Sequence, residues 1–200
     1  MTGVSESLYA ILTSEGRPGL MAPQQTAGAV LLAAEVWDLL TAGVAWGVSG
    51  QRFYAAKPLP EALAHTAASY TAICQGQHRP GPLFRQMGRV EVQALRQKAY
   101  ADLPLPFADE ADDFGDMPPS AVAYIRHITL KGTPNPADDA LLLALARASW
   151  LKGFYIRGKM DQVVLSKRLK AIRLNPPLAG GWSFPDLLRP FLVLSEWARL

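Results

Sequence analysis

The chain has 200 residues, 50% hydrophobic and 18% charged, a balance that supports a folded core and excludes extended disorder. A formal net charge of +3, with a pI near 9.1, permits an anionic partner without requiring one. The single cysteine, Cys74, excludes an intrachain disulfide and a cysteine metal cluster, and its place in "SYTAICQGQ" reads as a small buried side chain on a helix.

The N-terminal "MTGVSESLYAIL" has no basic residue ahead of its apolar part, unlike a secretory signal. Residues 7–21, "SLYAILTSEGRPGLM", read as a short apolar strand or helical turn followed by a Gly/Pro turn. Next, 23–43 reads as a long helix. Pro23 suits a first helical turn and Gly43 a C-terminal stop, while Val30, Ala33, Trp37 and Leu40 follow helical spacing. Leu31, Ala34 and Leu39 widen that stripe, so the helix belongs in the core. Its apolar run "AGAVLLAA", broken by Glu35 and Asp38, falls short of the roughly 20 residues that a membrane span needs.

Residues 44–56, "VAWGVSGQRFYAA", predict two short strands joined by a Ser-Gly turn. A second helix is expected over 58–75, opened by Pro60 and Glu61. The stretch 78–89, "HRPGPLFRQMGR", is a basic connection broken by Pro80, Gly81 and Pro82 just before a helical pattern begins. A third helix is expected over 89–103. The segment 105–119 reads as a solvated loop, since six acidic residues and no basic ones fall between Asp102 and Asp116. A short helix follows over 120–132.

The clearest start signal opens the helix predicted at 135–151. Asn135 can cap it, Pro136 fits its first position, and Asp138 and Asp139 favour the positive end of its dipole. Further helices are expected over 160–174 and 184–200, with Pro190 kinking or ending the first turn of the last. The expectation is a mainly α protein: one compact helical domain over 1–200 with one or two small β-hairpins.

Recognisable reaction chemistry is missing from the pattern. His65, His78 and His127 have no metal-ligand spacing with one another or with Cys74, and no nucleophile elbow or P-loop occurs. Adjacent carboxylates such as Asp112 and Asp113, or Asp138 and Asp139, point about 100° apart on a helix and make no acid/base couple alone. No enzyme, metal or cofactor is expected.

Two basic clusters stand out. One holds Arg79, Arg85, Arg89, Arg96 and Lys98. Arg85 and Arg89, four apart, share one face if a helix runs through Gly88, and two guanidiniums there can clamp a phosphate. The other holds Lys152, Arg157, Lys159, Lys167, Arg168, Lys170 and Arg173, whose helical part alternates with Val163, Val164, Leu165, Leu169 and Ile172 into an amphipathic helix with a basic outer face.

The order of segments resembles the Golgi phosphoprotein 3 family, in the manner of a bacterial member. "AEVWDLLTAGVAW" (34–46) is similar to its N-terminal signature. "NPADDALLLALARASWLKGFY" followed by "LSKRLKAI" is similar to its C-terminal one, and "LYAILTSEGRPG" to its first apolar stretch. The resemblance implies a mostly helical domain with small hairpins that binds a phosphoinositide at a membrane surface as an adaptor, without catalysis. It also implies a phosphate site of an aromatic residue and an arginine near the first long helix plus two arginines mid-chain. Arg85 and Arg89 match the mid-chain pair. Pro23 and Leu32 stand where the aromatic and the arginine are expected, and Arg17 is the nearest basic residue. The family's apolar hairpin corresponds to the acidic segment here, whose carboxylates repel an anionic bilayer.

The expectation is therefore a cytoplasmic protein, peripheral at the inner membrane face, that binds an anionic lipid headgroup or phosphorylated ligand through Arg85 and Arg89, with Arg79 or Arg17 assisting and Phe84 or Met87 touching the membrane boundary. The alternative is a protein-interaction or self-association module using the acidic 102–116 segment and the basic 152–173 helix. Nucleic acid is not expected as a partner, because no reading module accompanies the second cluster.

Overall fold

Helix α2 (Gln24–Thr41) is the element around which the rest packs. Every residue from Ala29 to Leu40 is buried, as expected of a helix apolar nearly all round. α1 (Val4–Thr13) lies along one side of it and α9 (Phe184–Trp197) along another, where Trp37 meets Phe184 edge to face at a centroid distance of 5.2 Å. This computed structural model describes residues 3–13, 24–48, 52–88, 90–101, 103, 121–130, 135–147, 156 and 158–197.

After α2, Gly43 adopts a φ of 66° and turns the chain into strand β1 (Ala45–Val48), which pairs antiparallel with β2 (Arg52–Ala55). The Ser-Gly turn expected between them lies outside the described residues. The helix expected over 58–75 is two pieces. A 3₁₀ segment (Glu61–Thr66) leads into α3 (Ala67–Cys74), with a break at Leu63, whose φ of −113° and ψ of 18° are not helical. Cys74 ends α3 and is exposed, contrary to its reading as a buried side chain, because the last residue of so short a helix points past the core.

Helix α4 (Pro80–Met87) follows and stops at Gly88, and α5 (Val90–Ala101) starts anew beyond it. α6 (Ala121–Leu130) and α7 (Pro136–Arg147) come next. Asn135 caps α7 as expected, its Oδ1 accepting the Ala137 N–H at 3.0 Å. The acidic 105–119 segment lies outside the described residues. α8 (Lys159–Leu174) packs on α6 and α7. A two-residue hairpin, β3 (Leu178–Ala179) and β4 (Trp182–Ser183), turns through Gly180 and Gly181 at φ of 52° and 84°. Two successive positive φ values match the strand twist, which is why glycine occupies both places.

Two further expectations differ from what is found. The first apolar stretch is a ten-residue helix, α1, rather than a strand or a single turn, because its N-terminus is capped from α2: the Val4 and Ser5 N–H groups both donate to Asp38, each at 2.9 Å. α9 also runs on through Pro190 for a further seven residues rather than ending in its first turn, held by apolar packing of Leu187, Leu188 and Phe191. Buried side chains of both termini and of the middle of the chain join in one apolar core. Among the described residues, no helix is long and apolar enough to cross a membrane.

Candidate functional site

Alternation along the first hairpin sorts its side chains. Ala45, Gly47 and Phe53 face the core, and Trp46, Val48, Arg52 and Tyr54 face outward, with Trp46 opposite Tyr54 and Val48 opposite Arg52. Trp46 stacks on Tyr54 at 4.9 Å, and Tyr54 meets the His78 ring at 5.1 Å. Beneath the hairpin, Phe53 packs on the fully buried Trp182 at 5.1 Å. Gly47 makes room for that indole: a β-carbon there would overlap Trp182 Nε1 and the Arg52 carbonyl oxygen.

The Phe53 N–H donates to the His78 carbonyl at 2.7 Å and so anchors the start of α4 beside β2. That bond places Arg79, the extended residue preceding α4, next to Arg52. From the other side α9 presents Arg189, Pro190, Val193 and Leu194. Together with Tyr54, Pro80, Gly81 and Trp182 these residues line an open cleft of about 910 Å³. No carboxylate among the described residues lines it. Among the described residues, Arg52, Arg79 and Arg189 are all exposed and none is in an ion pair. The positive end of α4 faces the same space. Pro80 and Pro82 have no N–H, which leaves Gly81 with the free donor of that turn. Trp182 Nε1 and His78 Nδ1 are buried without a hydrogen-bond partner.

Of the sequence-predicted site residues that the structure describes, Arg79 is in this cleft and Arg85 is not. Arg85 is exposed on α4 and is not among the lining residues. Arg89 and Arg17 lie outside the described residues. Met87 is buried, at 1% exposure, and Phe84 packs against the core, so Met87 offers no surface to a membrane. Arg96 leaves the first basic cluster altogether and forms a buried pair with Glu35. Arg52, Tyr54, Trp182 and Arg189 were not singled out as site residues. Strand alternation could have found the first two, whereas nothing local links Arg189 to a residue more than a hundred positions away.

In the second basic cluster, Lys159, Lys167, Lys170 and Arg173 are exposed on α8, and Arg168 pairs with Asp139 at 3.2 Å. Burial raises the Asp139 carboxyl above its ordinary value, against the lowering pull of Arg168. Exposed Met160, Val163, Val164 and Leu174 follow helical spacing along the same helix. Lys152 and Arg157 lie outside the described residues.

A polar cluster is sealed between α1, α2, the 3₁₀ segment and α5. Glu35 accepts from Arg96 Nε and Nη2 at 3.0 and 2.9 Å, from the Tyr100 hydroxyl at 2.9 Å, and from the Ser69 hydroxyl. Burial pushes the Tyr100 phenol well above its usual range, and the Glu35 charge adds to that. One turn along α2, Asp38 accepts the Ser5 hydroxyl at 2.5 Å as well as the two α1 N–H groups. Ser5 Oγ lies 3.1 Å from His65 Nε2, and His65 Nδ1 lies 3.3 Å from Glu6 Oε1. Burial raises the Asp38 carboxyl to about 6 and lowers the His65 imidazole. The sequence signal for this cluster was two carboxylates three apart on a helix otherwise apolar all round.

The Ser5, His65 and Glu6 spacing has the form of a nucleophile, a base and an orienting acid. Its chemistry is different. Ser5 is fully buried, and at 2.5 Å its closest hydrogen-bond partner is Asp38, not the imidazole. Among the described residues, no group of three His, Cys, Asp or Glu could hold a metal ion. Comparison with family models, with curated proteins and with solved structures returned no match.

Proposed function

We propose that this protein binds a phosphorylated group, carried by a membrane lipid headgroup or by a soluble molecule, through the cleft of Arg52, Arg79 and Arg189. The observation that carries the reading is the convergence, among the described residues, of three exposed, unpaired guanidiniums on a cleft to which no described carboxylate contributes. Like charges brought together repel one another, and an anion seated among them removes that repulsion and gains charge-assisted, forked hydrogen bonds. The positive end of α4 adds to the same field. Among the described lining residues the arginines are joined by one other titrating side chain, Tyr54, and the reading proposed is that the cleft holds the anion. The resemblance of the chain's segment order to the Golgi phosphoprotein 3 family supports the same ligand chemistry and an adaptor role at the inner face of a membrane. The residues proposed to grip the ligand differ from the pair that the resemblance implies.

The test uses two probes: titration calorimetry with inositol trisphosphate, and cosedimentation with neutral vesicles or vesicles containing a phosphorylated anionic lipid, each at low and physiological salt. The expected result is salt-sensitive binding to the anionic probes, weakened about tenfold by Arg79→Ala and again by Arg189→Ala. Binding to the vesicles alone identifies a lipid source, and binding to the soluble probe alone a free ligand. Arg85→Ala leaves both unchanged. Binding that falls with Arg85→Ala and survives loss of the cleft arginines would overturn the assignment.

A second reading, self-association, is supported by the exposed Met160, Val163, Val164 and Leu174 on α8. It predicts a solution mass that rises with protein concentration and returns to the monomer value on Val163→Ser with Leu174→Ser.

A further inference from the structure

The sealed polar cluster has a hydrogen deficit. Four groups, Asp38, Ser5, His65 and Glu6, are joined by three side-chain contacts of 2.5, 3.1 and 3.3 Å. Each contact needs one hydrogen between its two heavy atoms. With both carboxylates ionised and the imidazole neutral, only two hydrogens are present: the Ser5 hydroxyl hydrogen and one ring N–H. The Tyr100 hydroxyl, which also reaches Ser5, lies on none of the three contacts and donates to Glu35. One contact therefore sets lone pair against lone pair, and an unmet polar group among buried side chains such as Ser5, Asp38 and His65 costs about 1–3 kcal/mol.

We propose that Asp38, Ser5, His65 and Glu6 hold one added proton in common, and that this shared proton latches α1 to the 3₁₀ segment through His65. Two arrangements complete all three contacts. In one the proton is on Asp38, which donates to Ser5 Oγ, while Ser5 donates to His65 Nε2 and Nδ1–H donates to Glu6. In the other the proton is on the imidazole, both ring nitrogens donate, and Ser5 donates to Asp38. The two interconvert when Asp38 passes its proton to Ser5 Oγ as Ser5 passes its own to Nε2, so no proton enters or leaves.

The surroundings favour the first arrangement. Burial raises Asp38 to about 6 and lowers His65. The other charged groups are occupied. Glu35 is paired with Arg96, Glu6 accepts the Gly3 N–H at its second oxygen, and on α7 Asp138 and Asp139 are turned to Tyr124 and Arg168. As pH rises through about 6 the proton leaves. Asp38 keeps all three of its donors as a carboxylate, so the contact that fails is one of the two at His65, and Glu6, the least buried member, is released. The Asp38 shift alone gives stability that is full below its ordinary value of 3.8 and lost as pH rises through about 6. The His65 shift has the opposite sign: stability present above its ordinary value of 6.5 is lost as pH falls. The two act in opposite directions on global stability, so the signature to follow is the local one.

The experiment is nuclear magnetic resonance on the full chain from about pH 4 to 8, following the Asp38 carboxyl carbon and both His65 ring nitrogens. The expected result is an Asp38 step near 6 that is echoed at His65 in the same range. Glu6→Gln supplies the missing hydrogen from its amide and is expected to move the Asp38 step down by about one pH unit. Ser5→Ala cuts the connection and is expected to abolish the echo at His65. An Asp38 step in the ordinary carboxylate range with no echo would overturn the proposal. So would an unmoved step in Glu6→Gln, or an undiminished echo in Ser5→Ala, which would mean that the two groups sense each other only through their fields.

Discussion

Arg96 and Arg79 belong to the same basic stretch of sequence and end in opposite surroundings. Arg96 is buried at 3% exposure, with Glu35 across from it and Tyr100 and Ser69 completing the carboxylate's shell. Arg79 stands exposed at the start of α4, facing the same cleft as two other arginines and, among the described residues, no carboxylate. A charge inside the protein is tolerated only when its partners are built in, so Arg96 serves the fold. A charge left without a partner at a cleft holds its interaction energy for something that arrives from outside.

That contrast can be broken most severely at the buried end. Arg96→Ala leaves Glu35 buried with its strongest partner gone, and is expected to destabilise the protein by about 3–5 kcal/mol in urea unfolding. Arg96→Lys recovers part of that loss, because one ammonium replaces a two-nitrogen fork. Gly47→Ala tests the packing beneath the cleft. Its methyl group would push against Trp182 and the Arg52 carbonyl, lowering stability by about 1–3 kcal/mol and weakening anion binding together with it.

At the exposed end the pattern reverses. Arg52→Ala, Arg79→Ala and Arg189→Ala are each expected to change stability by less than about 0.5 kcal/mol, while each weakens anion binding about tenfold. Unfolding and binding measured on the same samples check both halves. The smallest effect belongs to Arg126→Ala. Arg126 is 49% exposed and lies 3.6 Å from Asp161, and loss of such a surface pair is worth at most about 0.5 kcal/mol in urea unfolding and nothing in binding. A larger loss there would mean that exposure is a poor guide to which arginines the fold relies on.

Much of the fold was legible because the signals act over a few residues. The buried stripe of α2, the cap formed by Asn135 and Pro136 on α7, and the pair of short strands that follows Gly43 are local patterns, and the structure follows them. Of Arg79 and Arg85, the two expected site residues that the structure describes, Arg79 lines the cleft. Arg85 points elsewhere on α4, and Arg89 and Arg17 lie outside the described residues. The sequence grouped arginines by position along the chain, whereas a cleft groups them by which elements lie side by side.

By itself, then, the amino-acid order determined that the chain is mainly helical, where its central helix runs, and that a two-stranded hairpin follows it. Side-chain period and capping chemistry decide those matters within one or two turns of the backbone. Only the tertiary structure decided that α1 is a helix capped by Asp38, that Arg96 is spent inside the core, and that Arg52, Arg79 and Arg189 meet. Each of those outcomes joins residues tens to more than a hundred positions apart. Such meetings are settled by the packing of whole elements against α2, which no short stretch of sequence contains.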